Sequence, residues 1–334
     1  MAIPRALEPS GLVLVDKPVG PSSFALVRDL RSKTGAKAGH AGTLDPFASG
    51  LLLVLLGSAT RLARYLVGLD KRYETEIDLS SRTASGDLQG ETIETKEAPP
   101  REQLEKSLEQ LRGEVELRVP AVSAVKIGGE RAYRLARRGE APEMPLRRSR
   151  IDELRLLDYS NGVVRLDLRV SSGTYIRAIA DRLGGHCRSL RRLEVGPFSV
   201  ADADGELIRP ATEALPFLPA LELSEEEAGL VRNGGELARG ESGLLRLCRE
   251  GRLIAVALGK NGTVRPETVM PVWKSSATQS ICRAPRELSP LARSTAFTSV
   301  TAAFSTPRSR PACPSPCSPS IRIRACCSDS LWSF

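Results

Sequence analysis

Gly39-His-Ala-Gly-Thr-Leu-Asp-Pro46 sits inside a stretch, residues 35–50, that holds four glycines and one proline. Such a composition predicts a loop. Glycine lets backbone approach a ligand closely, and Asp45, placed before a proline, is held away from the helical region in an extended conformation. Two side chains in the loop can do chemistry, His40 and Asp45. Taken alone, an Asp-Pro pair is a turn former or helix cap, and a histidine among glycines is a satisfied structural side chain. The surroundings have to decide between these readings and a catalytic one.

Upstream, Gly11-Leu-Val-Leu-Val15 is an apolar run that stops at Asp16-Lys-Pro18, which predicts a strand ending in a turn. Ser22 or Ser23 then caps a helix through Arg31. Downstream, Leu51–Leu56 is short, apolar and flanked by glycines, as a buried strand is, and Thr60–Leu66 is helical. Tyr73, Thr75, Ile77 and Leu79 alternate along one face of a half-buried strand. A polar loop (83–90), a helix (Arg101–Leu111, announced by Pro99-Pro100) and strands at 114–119, 151–157 and 163–170 follow. Between the first two of these strands lies a basic stretch, Lys126–Arg150. Thr174–Leu183 reads as a helix, trailed by Arg188, Arg191 and Arg192. After a proline-containing linker at 210–220, residues 221–273 carry short strands (244–247, 253–258) between glycine turns, in the manner of a small β-barrel. Helices and strands mix without βαβ alternation, so the fold class is α+β. The domains expected are 1–210, with an insertion at about 120–150, and 221–273.

The 334 residues carry a net charge of +8, but the charge is uneven. Residues 275–334 contribute seven arginines against Glu287 and Asp329, leaving only about +3 for the rest. Five of the seven cysteines also lie there, so the body reads as a reduced, cytoplasmic protein. This Ser-, Pro-, Arg- and Cys-rich tail has no periodicity. Disorder is expected, and the bias also resembles out-of-frame translation of GC-rich DNA. Residues 1–10 lack the apolar core of a signal peptide, and no apolar run reaches membrane-spanning length. The two histidines, His40 and His186, lack flanking cysteine pairs, so a zinc site is not expected.

In combination, these segments resemble the bacterial TruB-type pseudouridine synthases. Val13-Leu-Val-Asp-Lys-Pro18 with Gly20 and Ser22-Ser23 looks like the family's opening strand, and Gly39–Pro46 with Ala48, Gly50 and Leu51 like its catalytic loop. Asp70-Lys-Arg-Tyr73 resembles the strand with the active-site tyrosine. Thr83, Asp87 and Gly90 fit the next loop, although Ala84 stands where an aspartate is common. Pro120, Ser123-Ala124, Lys126, Gly128, Tyr133, Ala136-Arg137 and Gly139 resemble an RNA-contacting insertion, with Val122 in place of a usual tyrosine. Ser172-Gly-Thr-Tyr-Ile-Arg177 and Leu190-Arg-Arg-Leu193 complete the set. The resemblance runs in order from about residue 10 to 200, and 221–273 is more weakly similar to a PUA RNA-binding domain.

The resemblance implies a cofactor-free, metal-free isomerase acting on uridine 55 in the T-arm loop of tRNA, a monomer needing no protein partner. The N1–C1′ bond must break and the uracil must turn and rejoin through C5, so a carboxylate that attacks covalently and then leaves is required. The resemblance makes Asp45 that nucleophile, and Arg177 the partner that holds it ionised and aimed. Tyr73 is implied to stack on the flipped base with its hydroxyl near the ribose. Tyr175 and Leu193 are implied as further pocket walls, and His40, Asp87 and Lys126 as substrate contacts. His186 and Cys187 are structural in this reading. A non-catalytic tRNA-binding or tRNA-folding protein is the alternative, and a guide-RNA-dependent synthase of the dyskerin type is a second one. Asp45 with Tyr73 argues against the first, and the compact chain with its basic insertion against the second.

Overall fold

The computed structural model describes residues 9–140, 142–271 and the backbone of 279–280. All lie within one compact unit. The tail expected to be disordered thus falls outside the described residues, apart from that short backbone segment.

The chain opens with β1 (Gly11–Lys17) and α1 (Ser23–Thr34), which Ser22 caps by accepting the Ala25 N–H and Gly35 ends in the left-handed conformation. Next come β2 (Ala38–His40), β3 (Ser49–Leu56), a 3-10 turn leading into α2 (Ala63–Val67), and β4 (Lys71–Asp78). A hairpin of β5 (Ser81–Thr83) and β6 (Thr92–Thr95) precedes α3 (Arg101–Glu109) and β7 (Gly113–Arg118). The insertion consists of β8 (Lys126–Ile127), β9 (Glu130–Arg131) and α4 (Ala132–Arg137). It is followed by β10 (Leu146–Ser160), β11 (Val163–Val170), α5 (Ile176–Arg182), β12 (His186–Val195) and β13 (Phe198–Ser199).

These strands form a nine-stranded mixed sheet in the order β1-β3-β12-β4-β11-β10-β7, with β2 and β13 paired at its side. Every pairing is antiparallel except β3 with β12, which meet only through Arg191 opposite Ser49 and Arg192 opposite Gly50. The alternation read at Tyr73–Leu79 is present: Tyr73, Thr75 and Ile77 are buried on one face of β4. Leu104 and Leu108 of α3 and Ile176 and Ile179 of α5 pack with them into the main core.

Three expectations need correction. The 35–50 loop contains β2, because Gly39 and His40 extend to pair with Leu55 and Val54. The strand expected at 151–157 begins earlier, inside the basic stretch. It is strand from Leu146 onward, pairing with β7 from Arg118 back to Gly113, and that part of β10 is largely exposed and so shows no apolar period. Residues 186–195, read only as a run of arginines, are a central strand. Bulges at residues 188 and 193 each slip the alternation by one residue, so the sequence period is lost there.

Beyond β14 (Leu207–Ile208), β15 (Ala220–Glu222), α6 (Glu225–Arg232), β16 (Leu237–Ala238), β17 (Gly243–Arg249), β18 (Arg252–Lys260) and β19 (Thr263–Val269) build a second sheet. Its order is β15-β17-β18-β19-β16, a curled half-barrel. The helix α6 was not expected; Ser224 and Glu227 start it with a reciprocal capping box. Ala214, Leu215 and Leu218 of the expected linker are buried, joining Leu12, Leu14 and Leu53 of the large sheet to Cys248, Val256 and Met270 of the small one.

Candidate active site

The loop between β2 and β3 is held from several sides at the residues flanking Asp45. Ser23, at the start of α1, donates its hydroxyl to the Leu44 carbonyl (2.9 Å) and accepts the Leu44 N–H (2.8 Å). Lys17, fully buried at the end of β1, donates to the carbonyls of Pro18 (2.9 Å), Pro46 (3.3 Å) and Ala48 (2.6 Å). Burial draws the Lys17 ammonium below its ordinary pKa. The nearby Asp45 carboxylate works against that shift, and Arg192 adds to it. Arg192, also buried, donates to the Leu51 carbonyl (2.7 Å) and the Gly42 carbonyl (3.1 Å). Backbone glycine is required at position 50: with φ at +102°, a Cβ there would meet the Arg192 carbonyl oxygen at 2.2 Å.

Asp45 itself faces Arg177 of α5. The Arg177 Nε donates to Asp45 Oδ2 at 2.9 Å. Its two terminal nitrogens donate to the carbonyls of Ser85 (2.7 Å) and Val122 (2.8 Å). The guanidinium side chain is 2% exposed and the carboxylate 36%, so the cation is sealed in while the anion keeps an open side. An ordinary surface arginine this is not. One guanidinium thus joins the Asp45 loop, the loop after β5 and the root of the insertion.

The other expected residues are placed as follows. Tyr73 lies on β4 in the same core cluster as Leu44, Phe47 and Ile176, and its hydroxyl makes no hydrogen bond among the described residues. Leu193 is the extra residue of the bulge beside Tyr73, whose pairing partner across the ladder is Arg192. Bulges of this kind re-aim a side chain next to a site. Tyr175 precedes the first turn of α5, packed against both the main core and the small insertion core of Val119, Ala132 and Met144. Asp87 is turned inward: its Oδ1 accepts from the Ser85 hydroxyl (2.6 Å) and the Gln89 N–H (3.0 Å), and Oδ2 lies 3.9 Å from Arg177 Nε. Its carboxylate is buried, within ion-pair distance of Arg177.

His40 is half-buried, with Nδ1 unpartnered among the described residues. Burial, and then Arg192, lower its pKa, so the ring is neutral at pH 7. Lys126 is exposed on β8, and its side chain has no hydrogen-bond or ion-pair partner among the described residues. His186 Nδ1 donates to the Ser81 carbonyl (3.0 Å), and burial pushes the Cys187 thiol up to about 12, so both are structural. The sequence alone pointed to no site role for Lys17 or Arg192, and to Ser23 only as a candidate helix cap. The available signal was a lysine closing an apolar run and an arginine inside a leucine-flanked segment.

Solved structures share this architecture. A Cbf5-Nop10-Gar1 complex superposes with a TM-score of 0.60 at 23% identity, covering 78% of this chain and 84% of that one. A chain of an H/ACA RNP bound to a substrate RNA containing 2'-deoxyuridine gives 0.58 at 21% identity, over 78% and 85%. The sheet therefore defines a protein of the pseudouridine synthase fold. At the sequence level, residues 29–176 match the TruB family pseudouridylate synthase (N terminal domain) model. The tRNA pseudouridine synthase B of Ruegeria pomeroyi is 38% identical over 290 residues, 78% of this chain and 95% of that protein. A Mycobacterium protein of the same name is 41% identical over 250 residues, 68% and 84%. The chain belongs to the TruB family of pseudouridine synthases.

Proposed function

We propose that this protein converts the T-arm loop uridine at position 55 of tRNA to pseudouridine, with Asp45 as nucleophile. The single observation that carries the reading is the 2.9 Å contact between the sealed Arg177 Nε and the open Asp45 carboxylate. A binding protein has no use for a carboxylate aimed at an anionic polymer. In the reaction, Asp45 attacks the flipped nucleotide covalently, at C1′ or C6, and later departs. The N1–C1′ bond breaks and a C5–C1′ bond forms. C5 loses its proton and N1 takes one up, so the product is an isomer and no cofactor is consumed.

Tyr73 supplies the stacking surface and a hydroxyl near the ribose, with Tyr175 and Leu193 as walls. His40 and Lys126 contact RNA, and the arginines of the insertion track phosphates. Residues 1–210 act as the catalytic domain and 221–273 as a PUA-like second RNA grip. The enzyme works as a monomer in the cytoplasm. The test is Asp45→Asn, which keeps the shape and removes the nucleophile. Binding of tRNA should stay within a few-fold while pseudouridine formation disappears; turnover above trace level overturns the assignment.

A further inference from the structure

The helix α1 carries a feature that the reaction above does not use. Its buried face is Ser23, Val27 and Leu30. At 100° per residue, Phe24, Arg28 and Arg31 fall within about 60° of arc on another face, all exposed. Phe24, at 67% exposure, is the most exposed large apolar side chain among the described residues. The Arg28 and Arg31 side chains have neither a hydrogen bond nor an ion pair among the described residues. Elsewhere on the helix, Lys33 and Asp29 neutralise each other at 2.8 Å.

The arginines of the basic insertion differ. Arg138 is engaged by Glu130 and Glu140, Arg150 by Asp70 and Asp152, and Arg147 donates to the Gly173 carbonyl. Much of the positive charge that sequence alone assigns to RNA there is already satisfied within the protein. The pair on α1 is not.

The helix that carries the stripe is fastened to the site. Ser23, the residue before Phe24, exchanges two hydrogen bonds with the backbone of Leu44, the neighbour of Asp45, so the first turn of α1 is tied to the Asp45 loop. The two guanidiniums then lead away along the helix. We infer that the Phe24–Arg28–Arg31 face of α1 is a second RNA-holding surface, in which Phe24 packs on an unstacked base or ribose and the two arginines take consecutive backbone phosphates. Aromatic faces bind bases without sequence preference, and guanidiniums match phosphate geometry. The inference rests on the proposed tRNA substrate.

The experiment compares the full chain with Arg28→Gln/Arg31→Gln and with Phe24→Ala, titrating each with the same tRNA transcript at several salt concentrations. Glutamine keeps side-chain length and helix propensity, and Arg28→Lys/Arg31→Lys serves as the charge-retaining control. Loss of two phosphate contacts should weaken binding and reduce the slope of log K against log salt by roughly 1.4 to 1.8, with the lysine pair near the parent slope. Phe24→Ala should weaken binding on the order of ten-fold with the slope unchanged, because no counterion is involved. If the glutamine pair binds with the parent's affinity and slope, the face is a solvated helix surface and the inference falls. It also falls if the glutamine pair instead loses only self-association, which would make the face a protein contact. Pseudouridine formation by the parent, assayed in parallel, tests the proposed reaction separately from either result.

Discussion

Arg177 shows how one side chain can set the site. Its three donors go to three segments far apart in sequence, at Asp45, Ser85 and Val122, and each bond is linear reach from a planar fork. Lysine carries the charge without the fork. Arg177→Lys should therefore leave two buried carbonyls short of a donor and Asp45 poorly aimed. Turnover is expected to fall on the order of 100-fold, as misplacement by about 1 Å does, and single-turnover assays at saturating enzyme would read it. Tyr73 makes the complementary case. Its ring belongs to the core cluster, whereas its hydroxyl has no hydrogen-bond partner among the described residues. Tyr73→Phe should fold and bind tRNA as the parent does, yet lose roughly 100-fold or more in single-turnover rate if the hydroxyl moves a proton. Unchanged kinetics would confine Tyr73 to stacking.

At the scale of elements, β12 holds the site together. It is the strand that joins β3, which follows the Asp45 loop, to β4, which carries Tyr73. The join to β3 is only two residues long and needs Gly50 at φ +102° against the Arg192 backbone. Gly50→Ala should cost at least about 1–3 kcal/mol of stability by overpacking, with activity lost alongside. Gly68→Ala is the control: φ is ordinary there and nothing lies within 4 Å of the added methyl, so stability should be unchanged or slightly raised. Denaturant midpoints of the two variants would separate the outcomes. Equal destabilisation would show that the Gly50 contact is not what limits the substitution.

For the whole molecule, a buried cation beside the sheet gives a pH signature. Lys71 donates to the carbonyls of Val67 and Leu69 and to Ser172 Oγ, and burial, then Arg192, lower its pKa from 10.5 to about 8. Below pH 8 the ammonium is charged in both folded and unfolded chains, and folding bears the full desolvation cost. Between 8 and 10.5 the unfolded chain binds more proton than the folded one, so stability rises with pH from this group; above 10.5 both are neutral. Replacing it, as in Lys71→Met, removes that contribution. The parent should therefore gain on the variant as pH climbs from 7 to about 10, read as the difference in denaturant midpoints. Parallel profiles would show that Lys71 titrates as a solvated lysine.

What the sequence determined by itself was whatever has a local cause. The β1 run, the Ser22 cap of α1 and the alternation of β4 all follow from periodicity, capping and steric rules within a few residues, and these elements stand where those rules place them. Only the tertiary structure decided the rest. The strand β12 is hidden because its two bulges break the period and its buried Arg192 is tolerated only by carbonyls of Gly42 and Leu51, over a hundred residues upstream. That Asp87 is buried beside Arg177 is likewise invisible in the sequence, since its partners are set by how the loop after β5 closes over Arg177. Which arginines of the insertion are free depends on acids brought near by folding, as Asp70 is to Arg150. Charge, burial and hydrogen-bond partnership are properties of neighbours in space, and a linear sequence names the groups without saying which ones meet.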